Sequence, residues 1–303
     1  MKGGFTGIAI SFVLALLAGL ANAAGQVLQR KAARKEPAEL QMSPRLLVDL
    51  AQRRTWLFGI CAVVGGTLFQ IAALAFGPLA TVQTIVILEL PFTLIGAYWF
   101  LGSKLRGRDW ISIVVMTAGA AGVVGFLNPR GGHAQNIGTL TWALAAGATT
   151  LPIVVLYLLA RRSEGSREAA LLGAATGICF ALFAGLMKGV TLQFHHGLLA
   201  VLASWQIYVG IIVAVAGMWL LQNALHAGKL AAAQPGITLL DPAVAIVWGA
   251  LVFHEHMRGG VFIALAFVSG ALVAGAAIAL AESPLFNDEN ENGNNGDDVD
   301  DSG

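Results

Sequence analysis

Nine stretches of this chain are apolar over about twenty residues each, with short polar connections between them. They run over residues 5–28, 56–76, 79–102, 110–127, 138–160, 168–190, 204–227, 229–253 and 260–281. The hydrocarbon core of a bilayer is about 30 Å thick and needs roughly 20 apolar residues of helix to cross it. Each stretch is therefore predicted to be a membrane-spanning helix. Two of the spans carry interruptions of the same kind. Pro78 to Leu105 contains Glu89-Leu90-Pro91, and Lys229 to His256 contains Pro235-Gly236 and then Asp241-Pro242. Proline lacks the backbone N–H and frees a carbonyl one turn earlier, so Pro91, Pro235 and Pro242 are expected to break their helices. Glu89 lies about eleven residues into its span and Asp241 about thirteen; at ~1.5 Å per residue both fall near the bilayer midplane. An ionisable group at that depth is costly, which makes it a functional candidate by default.

Composition agrees with the pattern. The 303 residues are 57% hydrophobic and 12% charged, with a mean hydropathy of +0.74. That balance excludes an ordinary soluble domain. No basic patch interleaved with aromatics is present, so nucleic acid is not an expected partner. Cys61 and Cys179 both lie in apolar spans and read as small hydrophobes.

The charge distribution sets an orientation. With the N-terminus outside, fourteen of the eighteen Lys and Arg residues fall in inner loops, among them Arg30, Lys31, Arg34 and Lys35. Lys2, Arg130 and Arg258 fall outside, and Lys188 lies within a span. Basic residues stay on the cytoplasmic side, so the chain is read as N-out and C-in. Lys2, an apolar run and Ala21-Asn22-Ala23 imitate a cleavable signal peptide. The basic cluster that follows resists translocation, so a retained first helix is expected. In the inner loop 29–55, residues 44–54 read as a short amphipathic helix on the membrane surface. Residues 284–303 form an acidic, Asn- and Gly-rich tail, read as disordered. Its Asp288-x-Asn290-x-Asn292-Gly293 opens like an EF-hand loop, but Val299 stands where the bidentate Glu belongs.

A repeat underlies the order of spans. Residues 56–125 laid on 207–276 without a gap give fifteen identities, including Gly59/Gly210, Gly66/Gly217, Gln83/Gln234, Pro91/Pro242 and Gly119/Gly270. Ala15–Leu20 likewise resembles Ala181–Leu186. The fold expected is an all-α integral membrane protein of about nine helices: four, a linking helix, and four more. An odd linker makes each copy cross in the opposite sense, the inverted-topology plan of secondary transporters, whose sites lie between the repeats at broken helices. The divisions are 1–127 for the first repeat, 128–167 for the linker helix with its loops, 168–283 for the second repeat and 284–303 for the tail.

The motif Leu225-His226-Ala227-Gly228-Lys229-Leu230-Ala231, then Pro235, Asp241-Pro242 and Phe253-His254-Glu255, resembles the paired repeats of the drug/metabolite transporter (EamA-like) superfamily. The likeness covers nearly the whole chain apart from the inner loop and the tail. Its members usually have ten helices and a first copy ending in Gly-Glu, whereas this chain has nine and Gly102-Ser103 there. Nine helices, a basic loop after the first and a lysine late in the sixth are similar to the NIPA-type magnesium transporter branch. The resemblance implies alternating-access transport of a small solute, with Mg²⁺ as one cargo.

The candidate site residues are Glu89, Asp241, Lys188, Gln83, Gln234 and Asn22, with Glu89 and Asp241 as metal ligands if the cargo is a cation. Gln26, Gln70, Gln222 and Asn223 are further intramembrane amides, which commonly join helices. Lys188 either pairs a midplane carboxylate or reaches the outer interface. His254-Glu255-His256 lacks the H-E-x-x-H spacing and reads as a polar cluster at an outer helix end. His195-His196 stands in an outer loop without an assigned role. No P-loop, Ser/His/Asp arrangement or Cys ligand set is present, which argues against an ATP-driven pump and against those enzyme classes. No cofactor is expected. The partners implied are a small solute or cation as cargo, the lipid bilayer and a second copy of the chain, with the plasma membrane, of bacterial inner-membrane type, as the location. A membrane scaffold that kept the fold and lost transport is the competing class.

Reporter fusions at Gly132, Gly165 and Gly197 should report outside, inside and outside respectively. An outside signal at Gly165 would overturn the nine-span topology and the repeat with it.

Overall fold

The computed structural model describes residues 2–33, 53–102, 105–131, 137–227 and 230–282. Arg54, expected at the end of the surface helix 44–54, instead opens the helix Arg54–Phe76, while residues 44–52 of that expected helix and the acidic tail with its EF-hand-like opening lie outside the described residues. Within them, nine helical segments are long and apolar enough to cross a membrane. The chain runs α1 (Lys2–Ala33), α2 (Arg54–Phe76), α3 (Leu79–Val86), α4 (Glu89–Leu101), α5 (Gly107–Leu127), β1 (Arg130–Gly131), α6 (Thr139–Ala160), α7 (Gly165–Thr191), a single 3₁₀ turn (Phe194–His196), α8 (Leu198–Ala203), α9 (Trp205–Ala227), α10 (Leu230–Leu251), β2 (Glu255–His256) and α11 (Val261–Ala281). α3 and α4 together make one span.

α7 is the centre of the bundle. From Ala175 to Thr191 every position except Phe180 and Phe183 is buried. α7 packs chiefly on α10 and α9, and also on α6; α1 packs chiefly on α2 and then on the α3–α4 span; α5 packs on α11. These crossings use glycine for close approach, as lipid-embedded interfaces do. A Cβ on Gly25 would stand 2.8 Å from the Gly59 carbonyl oxygen, and one on Gly236 only 2.6 Å from the Ala174 backbone nitrogen.

The prolines behave unequally. The span 79–101 does break, but at Ile87-Leu88, two residues before Glu89-Leu90-Pro91. Pro91 thus becomes the third residue of α4, where an N–H has no helical acceptor in any case. Pro235 and Pro242 were expected to break their helix and do not: α10 runs continuously through both. Its segment around Gly236 lies at backbone contact with Gly173, Ala174 and Gly177 of α7. That packing supports the helix where intrahelical hydrogen bonds are missing, as neighbouring helices do for prolines in membranes. Pro152 is likewise accommodated inside α6.

The triplet His254-Glu255-His256 is also not the helix end expected of it. α10 stops at Leu251, and Glu255-His256 pairs antiparallel with Arg130-Gly131. Glu255 turns inward and is buried. Its carboxylate accepts the backbone N–H of Leu79 at 2.5 Å and of Ala80 at 3.3 Å, the first residues of α3. Gly249 leaves room for it, since a Cβ there would collide with the carboxylate. Removal from water pushes the Glu255 carboxyl above its ordinary range, and the Leu79 N–H and the nearby Lys188 charge offset part of that. On the other side of the Gly77-Pro78 turn, Lys188 Nζ donates to the carbonyls of Leu74 and Gly77, both at 2.6 Å. Ser11 Oγ covers the Ala73 carbonyl at 2.9 Å. A cation thus closes the carbonyl end of α2 and an anion the N–H end of α3, each with the sign its helix dipole favours.

Lys188→Met should lower stability by about 3 kcal/mol, because it strands two buried carbonyls and the Glu255 charge. The double variant Lys188→Met/Glu255→Gln should lose less than the sum of the single losses, measured by unfolding in detergent. Strict additivity would show that the two groups do not act on one turn.

Candidate functional site

The break at Ile87-Leu88 determines where Glu89 stands. It makes Glu89 the first residue of α4, at the positive end of a half-helix inside the membrane. Two amides from one face of α1 meet its carboxylate. Asn22 Nδ2 donates to Glu89 Oε2 at 3.0 Å, and Gln26 Nε2 donates to Glu89 Oε1. Asn22 fits against α2 because Gly66 has no side chain; a Cβ there would overlap the Asn22 amide oxygen.

A second chain of amides reaches Asp241 on α10. Gln70 Nε2 on α2 donates to Gln83 Oε1 on α3 at 2.6 Å, and Gln83 Nε2 donates to Asp241 Oδ1 at 2.7 Å. Gln83 is 1% exposed, so its amide is committed in both directions by two neighbours. The two carboxylates lie within electrostatic reach of one another. Six side chains from α1, α2, α3, α4 and α10 therefore form one polar cluster in the middle of the bundle. Among the described residues, every side-chain hydrogen bond to these two carboxylates comes from a neutral amide, and none from a charged donor.

Among the sequence candidates, Glu89, Asp241, Gln83 and Asn22 come together. Gln234 does not join them: its Nε2 donates within α10 to Thr238 Oγ1 at 3.2 Å. The repeat places it opposite Gln83, but α10 is unbroken where the α3–α4 span breaks, and the two glutamines are carried to different surroundings. Lys188 does not join them either. It is spent on the α2 carbonyls and is 1% exposed, so it neither pairs a midplane carboxylate nor reaches the interface. Asn223 donates to the Trp219 carbonyl of its own helix at 2.7 Å.

Two participants, Gln26 and Gln70, were read from sequence only as helix-joining amides, and Glu255, which acts outside the cluster, only as part of a polar helix end. Gln26 follows Asn22 by four residues, a spacing that puts both on one helix face and could have named it. Gln70 has Leu221 as its counterpart in the second copy, so the repeat carries no signal for it. Glu255 was hidden by the assumption that α10 extends beyond Leu251. Among the described residues, no group of three or more His, Cys, Asp or Glu is gathered as a metal cage. Two carboxylates with amide neighbours suit an ion that keeps much of its water, or a proton, better than an all-protein cage.

No family model and no solved structure matches the chain. A protein of Corynebacterium glutamicum, described only as uncharacterized, is 28% identical over 252 residues, which cover 82% of this chain and 86% of that protein. The similarity therefore spans most of both chains and brings no activity with it. On its own residues, this chain is a multi-span helical membrane protein with a paired-carboxylate cluster in its interior.

Proposed function

We propose that this protein is a secondary transporter that moves a small solute by alternating access, with Glu89 and Asp241 as the exchanging pair. One observation carries this reading: among the described residues, two carboxylates at membrane depth are held by amides, with no cation on either. A scaffold would gain nothing from retaining such a pair. The location of Lys188 supports a positively charged partner, because this lysine, deep in its span, is already committed elsewhere. A proton, a metal ion or an amine then supplies the missing charge. In this reading the chain is an inverted repeat oriented N-out and C-in in the plasma membrane. The matching packing of α1 on α2 and the α3–α4 span, and of α7 on α9 and α10, supports the two-fold plan. So does the resemblance to the drug/metabolite transporter superfamily.

A hydrated Mg²⁺, as in the NIPA-like branch, is the second cargo reading. It is favoured by the oxygen-only character of the pair and by the ability of this ion to bind through one or two carboxylates while keeping its waters.

Glu89→Gln and Asp241→Asn should fold and insert normally, since a neutral amide is cheaper to bury than a charge. In proteoliposomes loaded with a pH dye and a Mg²⁺ indicator, both variants should abolish coupled flux. If Mg²⁺ is the cargo, it should raise the unfolding temperature of the parent protein and of neither variant. Stabilisation should reach about 2.7 kcal/mol at a hundred times the dissociation constant. If the pair carries protons, solute should still bind both variants while flux loses its dependence on the pH gradient. Undiminished transport by Asp241→Asn with the parent pH profile would remove that residue from the mechanism.

A further inference from the structure

A second cluster lies away from the carboxylates, at the end of the bundle that carries the Gly77-Pro78 turn. Trp142 on α6 meets Trp205 on α9 edge to face, with ring centroids 5.5 Å apart and planes at 88°. Trp142 also contacts Trp248 and Phe253 at 5.9 and 6.1 Å. On one side of the Trp142–Trp205 pair is a cavity of about 170 Å³, lined by Thr139, Gln193 and Gln206 beside Ile137, Gly189 and Leu192. A more open crevice of about 390 Å³ shares Thr139 and both indoles with it and continues over Ala143 and Ala146. The two spaces thus meet at one aromatic wall, one faced with amides and a hydroxyl, the other with methyl groups.

Three features separate this cluster from an ordinary interfacial aromatic belt. Trp142 is 6% exposed and turned into the protein, whereas belt residues face lipid headgroups. Gln206 is 7% exposed, and its amide has no hydrogen-bond partner among the described residues although it lines the cavity. That amide opens onto the cavity, where a ligand that carries hydroxyl groups can pair with it. Finally, among the described residues no charged side chain lines either space. The cavity equals the volume share of about six waters, room for a glycerol or a single sugar ring. The adjoining α8 presents Leu198 and Leu199 at 73% and 83% exposure, which places this end in contact with lipid.

We infer that the Trp142–Trp205 wall is a binding site for a single amphiphile. Its uncharged, hydroxylated head sits among Thr139, Gln193 and Gln206, and its aliphatic tail lies over Ala143 and Ala146. An uncharged head is selected because a phosphate or carboxylate would enter a cavity with no cation to meet it. Indole faces cover the apolar side of a polyol while the amides take its hydroxyls. The small side chains at Ala143 and Ala146 leave the crevice that the tail fills. This site is separate from the carboxylate cluster and does not rest on the transport reading.

The test uses the purified full chain in an amine-oxide detergent, whose head carries no hydroxyl groups. Monooleoylglycerol should raise the unfolding temperature saturably. Oleoyl-lysophosphatidylglycerol, with the same tail and a charged head, should not, and free glycerol should need at least a hundredfold higher concentration. Gln206→Leu and Ala143→Phe should each raise the half-saturating concentration at least tenfold. Ala143 is exposed, so the phenylalanine enters the crevice without disturbing the core. Independently of stability, a diazirine-tailed monoacylglycerol should label the parent protein between residues 139 and 146. The inference is overturned if the charged lipid acts equally well, if glycerol alone acts at the same concentration while Ala143→Phe is silent, or if no saturable response and no labelling of α6 are seen.

Discussion

A charge removed from water inside a bilayer must be met by another polar group, and Lys188 is where this protein meets that demand most completely. Its ammonium takes the carbonyls of Leu74 and Gly77, groups that a helix end leaves without partners. Glu255 does the complementary service for the N–H groups of Leu79 and Ala80. Between them the Gly77-Pro78 turn is held at both ends. The direction of α3 follows from that turn, and so does the placing of Gln83, which reaches Asp241 across the bundle. Glu89 follows one break later. The polar cluster at mid-depth is thus positioned from the end of the bundle by two charges that take no part in it.

The same demand explains the composition of the cluster. Amides from α1 and α3 can hold a carboxylate without cancelling its charge, whereas a lysine or arginine would neutralise it permanently. Asn22 and Gln26 serve Glu89, and Gln83, itself held by Gln70, serves Asp241. Such a pair stays available to an exchangeable cation or proton, which is the property the proposed transport cycle uses. The aromatic wall at the end of the bundle is built on the opposite principle. There the described lining is uncharged, and the Gln206 amide opens onto the cavity.

The two halves share motifs and diverge in local outcome. The α3–α4 span breaks ahead of Pro91 and places its carboxylate at a helix start; α10 absorbs Pro235 and Pro242 in one continuous helix. The difference lies in the surroundings. α10 lies at backbone contact with α7 through Gly173, Gly177 and Gly236, and that contact supports it where proline removes hydrogen bonds. The α3–α4 span has Asn22 and Gln26 to receive the carboxylate that its break exposes.

Hydropathy alone located the nine spans within a few residues, because the length of an apolar run and the need to satisfy every backbone group in lipid leave helices as the solution. It also marked Glu89 and Asp241, since an acid amid apolar neighbours is conspicuous in any window. Their amide partners were only half legible. Asn22 and Gln26 share a face by simple spacing, but Gln70 meets Gln83 across a turn whose geometry depends on Lys188 and Glu255. Whether a proline breaks a helix, whether Gln234 follows its counterpart Gln83, and whether Lys188 serves a carboxylate or a carbonyl were all decided by tertiary packing. A one-dimensional pattern records which groups must be satisfied inside a membrane; the neighbours that satisfy them are brought together only by the crossing of helices distant in the chain.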